Sequence, residues 1–266
     1  MPVSAVGHYA LAAGLWYQIN GLFGPIGQVL YPAAAEMDVR GERESMRRLY
    51  SVGSRFMLLV VIPVVMIAYF WADDFYRLWL GEEYLTGETY SSVADLLRVL
   101  LIATLLSYMS NVAGQIVLAS GHVRQLALLQ ISGAIINLTA SLILIQAFGL
   151  IGLAVAAVMA TIVVDLVGMP VLLNRLVGLH IKDFLLSAWA RLLGVALLVG
   201  ILFLGIRRLG QPDGWFDLIL QGAFAGFAVV AVLTTIGITA EERNSLLVGP
   251  INKLRERLGS KTARNM

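Results

Sequence analysis

The sequence predicts an all-α protein, a polytopic membrane helical bundle of about seven transmembrane helices, from its composition, its apolar runs and the placement of its basic residues. Of 266 residues, 59% are hydrophobic and 14% charged, and the mean hydropathy is +0.81, whereas soluble domains carry about a quarter charged residues. A net charge of +2, with the basic residues segregated along the chain, does not make a nucleic-acid interface. The absence of cysteine excludes disulfides, thiolate nucleophiles, iron–sulfur clusters and thiolate zinc sites.

Crossing about 30 Å of hydrocarbon takes about 20 apolar residues in a helix. Runs of that kind centre on residues 8–31, 53–72, 96–118, 126–147, 151–173, 187–206 and 216–238. Phe148, Gly149 and Gly152 supply a tight reversal that keeps the fourth and fifth runs apart. The first run is a membrane helix rather than a signal peptide, because no Lys or Arg precedes Arg40 to form a basic leader.

Orientation follows from the rule that positively charged connections stay cytoplasmic. Arg40, Arg43, Arg47, Arg48 and Arg55 follow span one, Arg124 follows span three, and Arg175, Lys182 and Arg191 flank the link from span five to span six. The tail adds Arg243, Lys253, Arg255, Arg257, Lys261 and Arg264, which leaves Arg77, Arg98, Arg207 and Arg208 for the other side. These placements put the N-terminus outside and the C-terminus in the cytoplasm. The acidic connection around Asp73, Asp74, Glu82, Glu83, Glu88 and Asp95, with Trp71, Trp79 and Tyr84 at its edge, fits the external face.

Polar residues recur at helical spacing inside the spans. Gly14, Gln18, Gly21, Pro25, Gln28 and Pro32 fall on one face of span one. Thr104, Ser107, Asn111 and Gln115 form a stripe on span three, and Gln130, Gly133, Asn137 and Ser141 one on span four. Span five adds Ala154, Val158, Thr161, Asp165 and Gly168. Small and amide residues of this kind serve close helix packing and interhelical hydrogen bonds; aligned with a carboxylate at mid-span, they also suit a hydrated cavity. Gln18, Gln28, Asn111, Gln115 and Gln130 are the cavity-lining candidates.

Asp165 is the acidic residue deep inside a span, where a carboxylate must be paired, hydrated or neutralised. Two readings stand: an ion- or proton-responsive group in a transport cycle, or a protonated side chain hydrogen-bonded within the bundle. Spans six and seven are mostly apolar beyond Gln221, Thr234 and Thr235. The chain thus divides into a five-helix unit over residues 1–173, two peripheral helices over 174–240, and a basic tail over 241–266. In the tail, Leu246, Leu247, Ile251, Leu254 and Leu258 alternate with basic residues as on an amphipathic surface helix.

Three stretches resemble a known family. Residues 31–63, YPAAAEMDVRGERESMRRLYSVGSRFMLLVVIP, show a span-ending proline, a basic linker with a glycine turn, and a following span with its own proline. Residues 75–84, FYRLWLGEEY, resemble an external Trp-Leu-Gly segment, and residues 115–124, QIVLASGHVR, with residues 135–160, IINLTASLILIQAFGLIGLAVAAVMA, are the most specific stretch. In this order they resemble the polysaccharide and O-antigen flippases of the multidrug/oligosaccharidyl-lipid/polysaccharide exporter superfamily, distantly related to the lipid II flippases.

The resemblance implies a fourteen-helix parent of two six-helix lobes plus two further helices, in the bacterial inner membrane. This chain would supply helices eight to fourteen, a second lobe lacking its first helix, and would act with its missing N-terminal lobe or as a homo-oligomer. It implies transport of an undecaprenyl-diphosphate-linked oligosaccharide for surface polysaccharide or lipopolysaccharide synthesis, with membrane lipid as a further partner and no cofactor. Arg55 is the candidate nearest to a headgroup role, beside its simpler reading as a positive-inside anchor. Lipid II relatives hold a cation among polar residues of the helices corresponding to spans four and five. Asn137, Ser141, Thr161 and Asp165 are the loosely matching candidates for coupling to a proton or sodium ion.

The alternatives are a cation-coupled multidrug antiporter of the same superfamily and a non-functional fragment. A retinal protein would need a Lys in span seven, which has none. An intramembrane enzyme would need clustered histidines or carboxylates, whereas His8, His122 and His180 lie far apart and the Asp73–Asp74 pair reads as a solvated external loop.

Overall fold

A computed structural model describes residues 3–85, 91–178, 190–207 and 210–232. The chain runs through α1 (Val3–Gln28), α2 (Leu30–Val39), α3 (Arg43–Phe70), α4 (Ala72–Leu80), a 3-10 turn (Glu82–Tyr84), α5 (Val93–Ala119), α6 (Val123–Phe148), α7 (Leu150–Thr161), a π-helical segment (Ile162–Gly168), α8 (Met169–Val177), α9 (Ala190–Arg207) and α10 (Trp215–Val232). No strand occurs among the described residues. The basic tail over 241–266, the linker around Lys182 and residues 86–90 lie outside the described residues.

Four continuous rods are long and apolar enough to cross a membrane: α3, α5, α6, and the run from Leu150 to Leu176. Shorter apolar stretches, Leu197–Ile206 and Trp215–Val229, lie in α9 and α10. α1 is as long as α6, at 26 residues, but is not among these four rods. Pro32 has no N–H to give the Gln28 carbonyl, and the rod breaks at Val29 into α2.

α5 is the axis of the bundle. It packs against α1, α2, α3, α4, α7, the π segment and α8. Across its most apolar window 61% is buried, against 6% for α6, so α5 is central and α6 peripheral. The core along α5 runs through Leu96, Leu97, Leu100, Val112 and Ile116, met by Phe23 from α1 and Met57 and Val61 from α3.

α6 and α7 form a hairpin whose turn needs glycine twice. Gly149 has φ +61°, in the left-handed region. Gly152 lies so close to the Leu144 carbonyl that a Cβ there would collide with backbone.

The two helices expected to be peripheral pack on α3 and α4. Val199, Phe203, Leu218, Ala225 and Val229 form an apolar cluster with Trp71, joined by Met66, Ile67 and Phe70. Phe203 meets Phe70 and Trp71 edge-on at centroid distances of 5.5 and 5.3 Å. Polar bonds fasten the same contact: Trp71 Nε1 donates to Gln221 Oε1 at 3.0 Å. Arg77 donates to Asp74 Oδ1 at 3.0 Å, Gln211 Oε1 at 3.0 Å and the Pro212 carbonyl at 2.9 Å.

The Asp73–Asp74 pair is therefore not a merely solvated loop. The Asp74 side chain is 3% exposed and bound by Arg77, and Asp73 accepts from Arg98, which also holds Asp95 at 2.7 Å and lies over the Tyr69 ring. Arg77 and Arg98 are thus neutralised locally.

We expect Gly152→Ala to destabilise the bundle by about 1–3 kcal/mol, because the hairpin backbones must part, while Gly14→Ala, with nothing within 4 Å of its added Cβ, leaves thermal unfolding in detergent unchanged or raised. Arg77→Ala, which removes a charged partner from buried Asp74, should cost on the order of 1–3 kcal/mol, and Asp74→Asn in the same chain should recover part of that loss in the same unfolding measurement.

Candidate functional site

Two faces of α5 carry hydrogen bonds to neighbouring helices. Toward α1, Trp16 Nε1 donates to Thr104 Oγ1 at 2.7 Å, and Asn20 Nδ2 donates to the same oxygen at 3.2 Å and to the Trp16 carbonyl at 2.8 Å. The Tyr108 hydroxyl donates to the Asn20 carbonyl at 3.0 Å, and its ring meets Phe23 edge-on at 5.1 Å. One turn further along, Gly27 sits against the Asn111 amide, with Gln115 Nε2 beside it. Asn111 Oδ1 is buried there without a hydrogen-bond partner.

α1 turns a different face away from α5. Gly14, Gln18, Gly21, Pro25, Gln28 and Pro32 are all exposed, and Tyr17 and Leu22 flank them. The expected stripe is thus a single continuous surface that no described element of the chain covers. Its two exposed amides, Gln18 and Gln28, are poorly matched to hydrocarbon and suit water or another protein surface.

On its second face, α5 meets the π segment. Ser110 Oγ donates to Asp165 Oδ1 at 2.5 Å, and the Ser107 hydroxyl is a further partner of the same carboxylate. The local cause is Pro170 in the first turn of α8: without its N–H the α-helical bond to Leu166 is lost, and its ring pushes against that carbonyl. The chain widens instead, with Met169 N–H bonding to the Val164 carbonyl five residues back. Neighbouring glycines accommodate the bulge, Gly133 of α6 receiving Val164 and Gly168 receiving Leu129.

The candidates for ion coupling do not share one pocket. Asn137 Oδ1 accepts from Ser141 Oγ at 3.1 Å along α6. Thr161 Oγ1 donates to the Ala157 carbonyl of its own helix at 2.9 Å. Asp165 takes its hydrogen bonds from α5 instead. Gln130 is exposed on α6, and Arg55 is half-buried on α3 beside buried Ser54. No group of three or more His, Cys, Asp or Glu side chains arranged to hold a metal occurs among the described residues.

Sequence periodicity had grouped Ser107 with Thr104 and Asn111. The structure separates them, placing Thr104, Tyr108, Asn111 and Gln115 toward α1 and Ser107 with Ser110 toward Asp165. Trp16, Asn20, Tyr108 and Ser110 escaped the sequence reading. Two of these carried a usable signal: Asn20 is an amide within a span, and Tyr108 lies one helical turn beyond Thr104.

Thr104 is the acceptor for two donors from α1. We expect Thr104→Val, which keeps the shape and removes the oxygen, to lower stability by about 1–3 kcal/mol, and Thr104→Ser to retain most of it, both read from thermal unfolding.

Comparison with known proteins sets these features in a family. No curated protein matches the chain. Among solved structures, the lipid II flippase MurJ in its inward closed conformation aligns with a TM-score of 0.64 and 17% identity, over 87% of this chain and 47% of that chain. That likeness is one of fold, and the chain spans about half the length of the solved relative. A model of the family described as lipid II flippase MurJ matches residues 2–222. The motif resemblance is thereby corrected at the level of branch, from polysaccharide and O-antigen flippases to lipid II flippases, while the transporter class and a multi-pass place in the inner membrane stand. The family is one of transporters rather than enzymes, and this chain belongs to the lipid II flippase MurJ family.

Proposed function

We propose that this chain is the C-terminal part of a flippase that moves a lipid-linked cell-wall precursor, lipid II, across the inner membrane. The observation that carries the reading is the family match over residues 2–222. The uncovered face of α1 supports it: Gln18, Gly21 and Gln28 would line a hydrated path closed on the other side by a further lobe, for which the half of the solved relative that this chain does not span leaves room. Two lobes around a central path allow alternating access, and a single lobe has nothing to close against.

In this reading the N-terminus lies outside and the tail in the cytoplasm, following the basic connections. The headgroup would be bound mainly by the other lobe, since the described rods α1, α5, α6 and α7 carry no Lys or Arg at mid-span. Arg55, at the start of the apolar part of α3, is the candidate here for an auxiliary contact. The two-helix extension on α3 and α4 presents exposed Leu197, Ile201, Leu204, Phe224 and Phe227, an apolar surface suited to lipid chains. Asp165 is the candidate through which a proton or sodium ion would act, with Asn137, Ser141 and Thr161 bonded elsewhere.

Cells depleted of their own lipid II flippase test the reading, with this chain supplied alone or together with a complete upstream lobe. We expect rescue of growth with both parts present and none with the chain alone. Rescue of surface polysaccharide in O-unit flippase mutants instead would favour the polysaccharide branch. In the complete protein, Asp165→Asn should reduce ion-dependent transport while leaving expression intact; unchanged transport across pH and sodium concentration would remove Asp165 from the coupling.

A further inference from the structure

The π-helical segment is placed where a small register change would have a large chemical consequence. It carries one residue more than an α-helix would use over the same length, and such an extra residue is able to move along a helix without unfolding it. At the C-terminal end it is set by Pro170, which has no N–H for the preceding turn. Toward the N-terminus nothing comparable holds it: residues 150–161 are an unbroken α-helix without proline. What keeps the extra residue at 162–168 is side-chain contact: Ser110 Oγ donating to Asp165 Oδ1 at 2.5 Å, with Val164 seated on Gly133 and Leu129 on Gly168.

The Ser110 contact has a ready substitute. The Ser110 hydroxyl also lies 3.2 Å from the Ser107 carbonyl of its own helix, so losing Asp165 does not leave a buried donor unsatisfied. If the extra residue moves one turn or more toward the N-terminus, each residue it passes turns by about 100° and shifts about 1.5 Å along the axis. Each then takes the place of the residue before it. Leu166 comes to face Ser110, and Asp165 comes to the position of Val164, the side chain seated on Gly133 of α6.

Val and Asp have similar size, and Gly133 offers no Cβ to obstruct either. Gln130 and Asn137 lie three residues before and four after Gly133 on the same stripe of α6. The alternative position therefore lies on the amide-bearing face of α6 rather than beside the serines of α5; Gln130 is exposed there, and Asn137 Oδ1 already accepts from Ser141.

We propose that residues 162–168 form a two-position register switch that moves the Asp165 carboxylate between the Ser110 hydroxyl on α5 and the Gly133 position on α6. The switch deepens the reading of Asp165 as a coupling group but is tested without any transport assay, so failure of either leaves the other to be judged separately.

The chain has no cysteine, so Gln146→Cys and Val163→Cys, both at exposed positions, give a single nitroxide pair about 20 Å apart along the α6–α7 hairpin, from the helical rise. Electron–electron distance measurement in lipid nanodiscs would compare this pair in the otherwise unchanged chain, in Ser110→Ala and in Ser110→Thr. We expect one main distance in the unchanged chain and in Ser110→Thr. In Ser110→Ala we expect a second, resolved population at a different distance, because residue 163 turns by about 100° and shifts by about 1.5 Å along the axis relative to residue 146. A distribution in Ser110→Ala that superimposes on that of the unchanged chain overturns the switch. Pro170→Ala provides an independent reading, because restoring the N–H removes the cause of the bulge: a displaced distance is expected, and an unshifted one overturns the role given to the proline.

Discussion

Inside hydrocarbon, a polar side chain has to find its partner within the bundle, and in this protein α5 supplies most of those partners. Thr104 receives Trp16 and Asn20, Tyr108 reaches back to the Asn20 carbonyl, and Ser110 holds Asp165. These bonds fix the rotation of α1 and of the π segment about α5. Once α1 is fixed in that way, its row of Gly14, Gln18, Gly21, Pro25 and Gln28 has to point away from the core. The uncovered polar face is thus a consequence of the covered one.

The same economy governs the opposite end of the spans. Arg77 and Arg98 are not free external charges but ties: Arg98 joins α5 to Asp73, and Arg77 joins α4 to the connection between α9 and α10. With Trp71 bound to Gln221, they attach the last two described helices to α3 and α4 rather than to α5. The exposed face of α1 that carries Gln18 and Gln28 and the apolar surface of α9 and α10 are therefore separate features of the described bundle.

Much of the fold was legible in the sequence because its determinants are local. Apolar run length marked the rods, and Gly149 with Gly152 marked the α6–α7 hairpin, since a positive φ and a backbone contact both demand glycine there. The stripe on α1 was legible because it is polar against an apolar background. The network behind it was not: Trp16 and Tyr108 count as apolar in hydropathy, and their single polar atoms matter only once a partner helix is placed. Ser110 was hidden for a different reason. A strict 3.6-residue period assigns Ser107 and Thr104 to one face and says nothing of a partner helix that changes its own period at Ile162. Pro170 was the visible sign of that change, just beyond the C-terminal end of the widened segment.

The account rests on the exposed face of α1 being a wet surface between lobes rather than a lipid-facing one. Single cysteines at Gln18 and Gly21, in the chain assembled with its upstream lobe, and at Leu138 on the exposed apolar side of α6, would be exposed to a membrane-impermeant maleimide in intact membranes. The account predicts labelling at 18 and 21 and none at 138. Cysteines at 18 and 21 as inert as the one at 138 would contradict it, and would make the polar face of α1 a packing surface instead of a path.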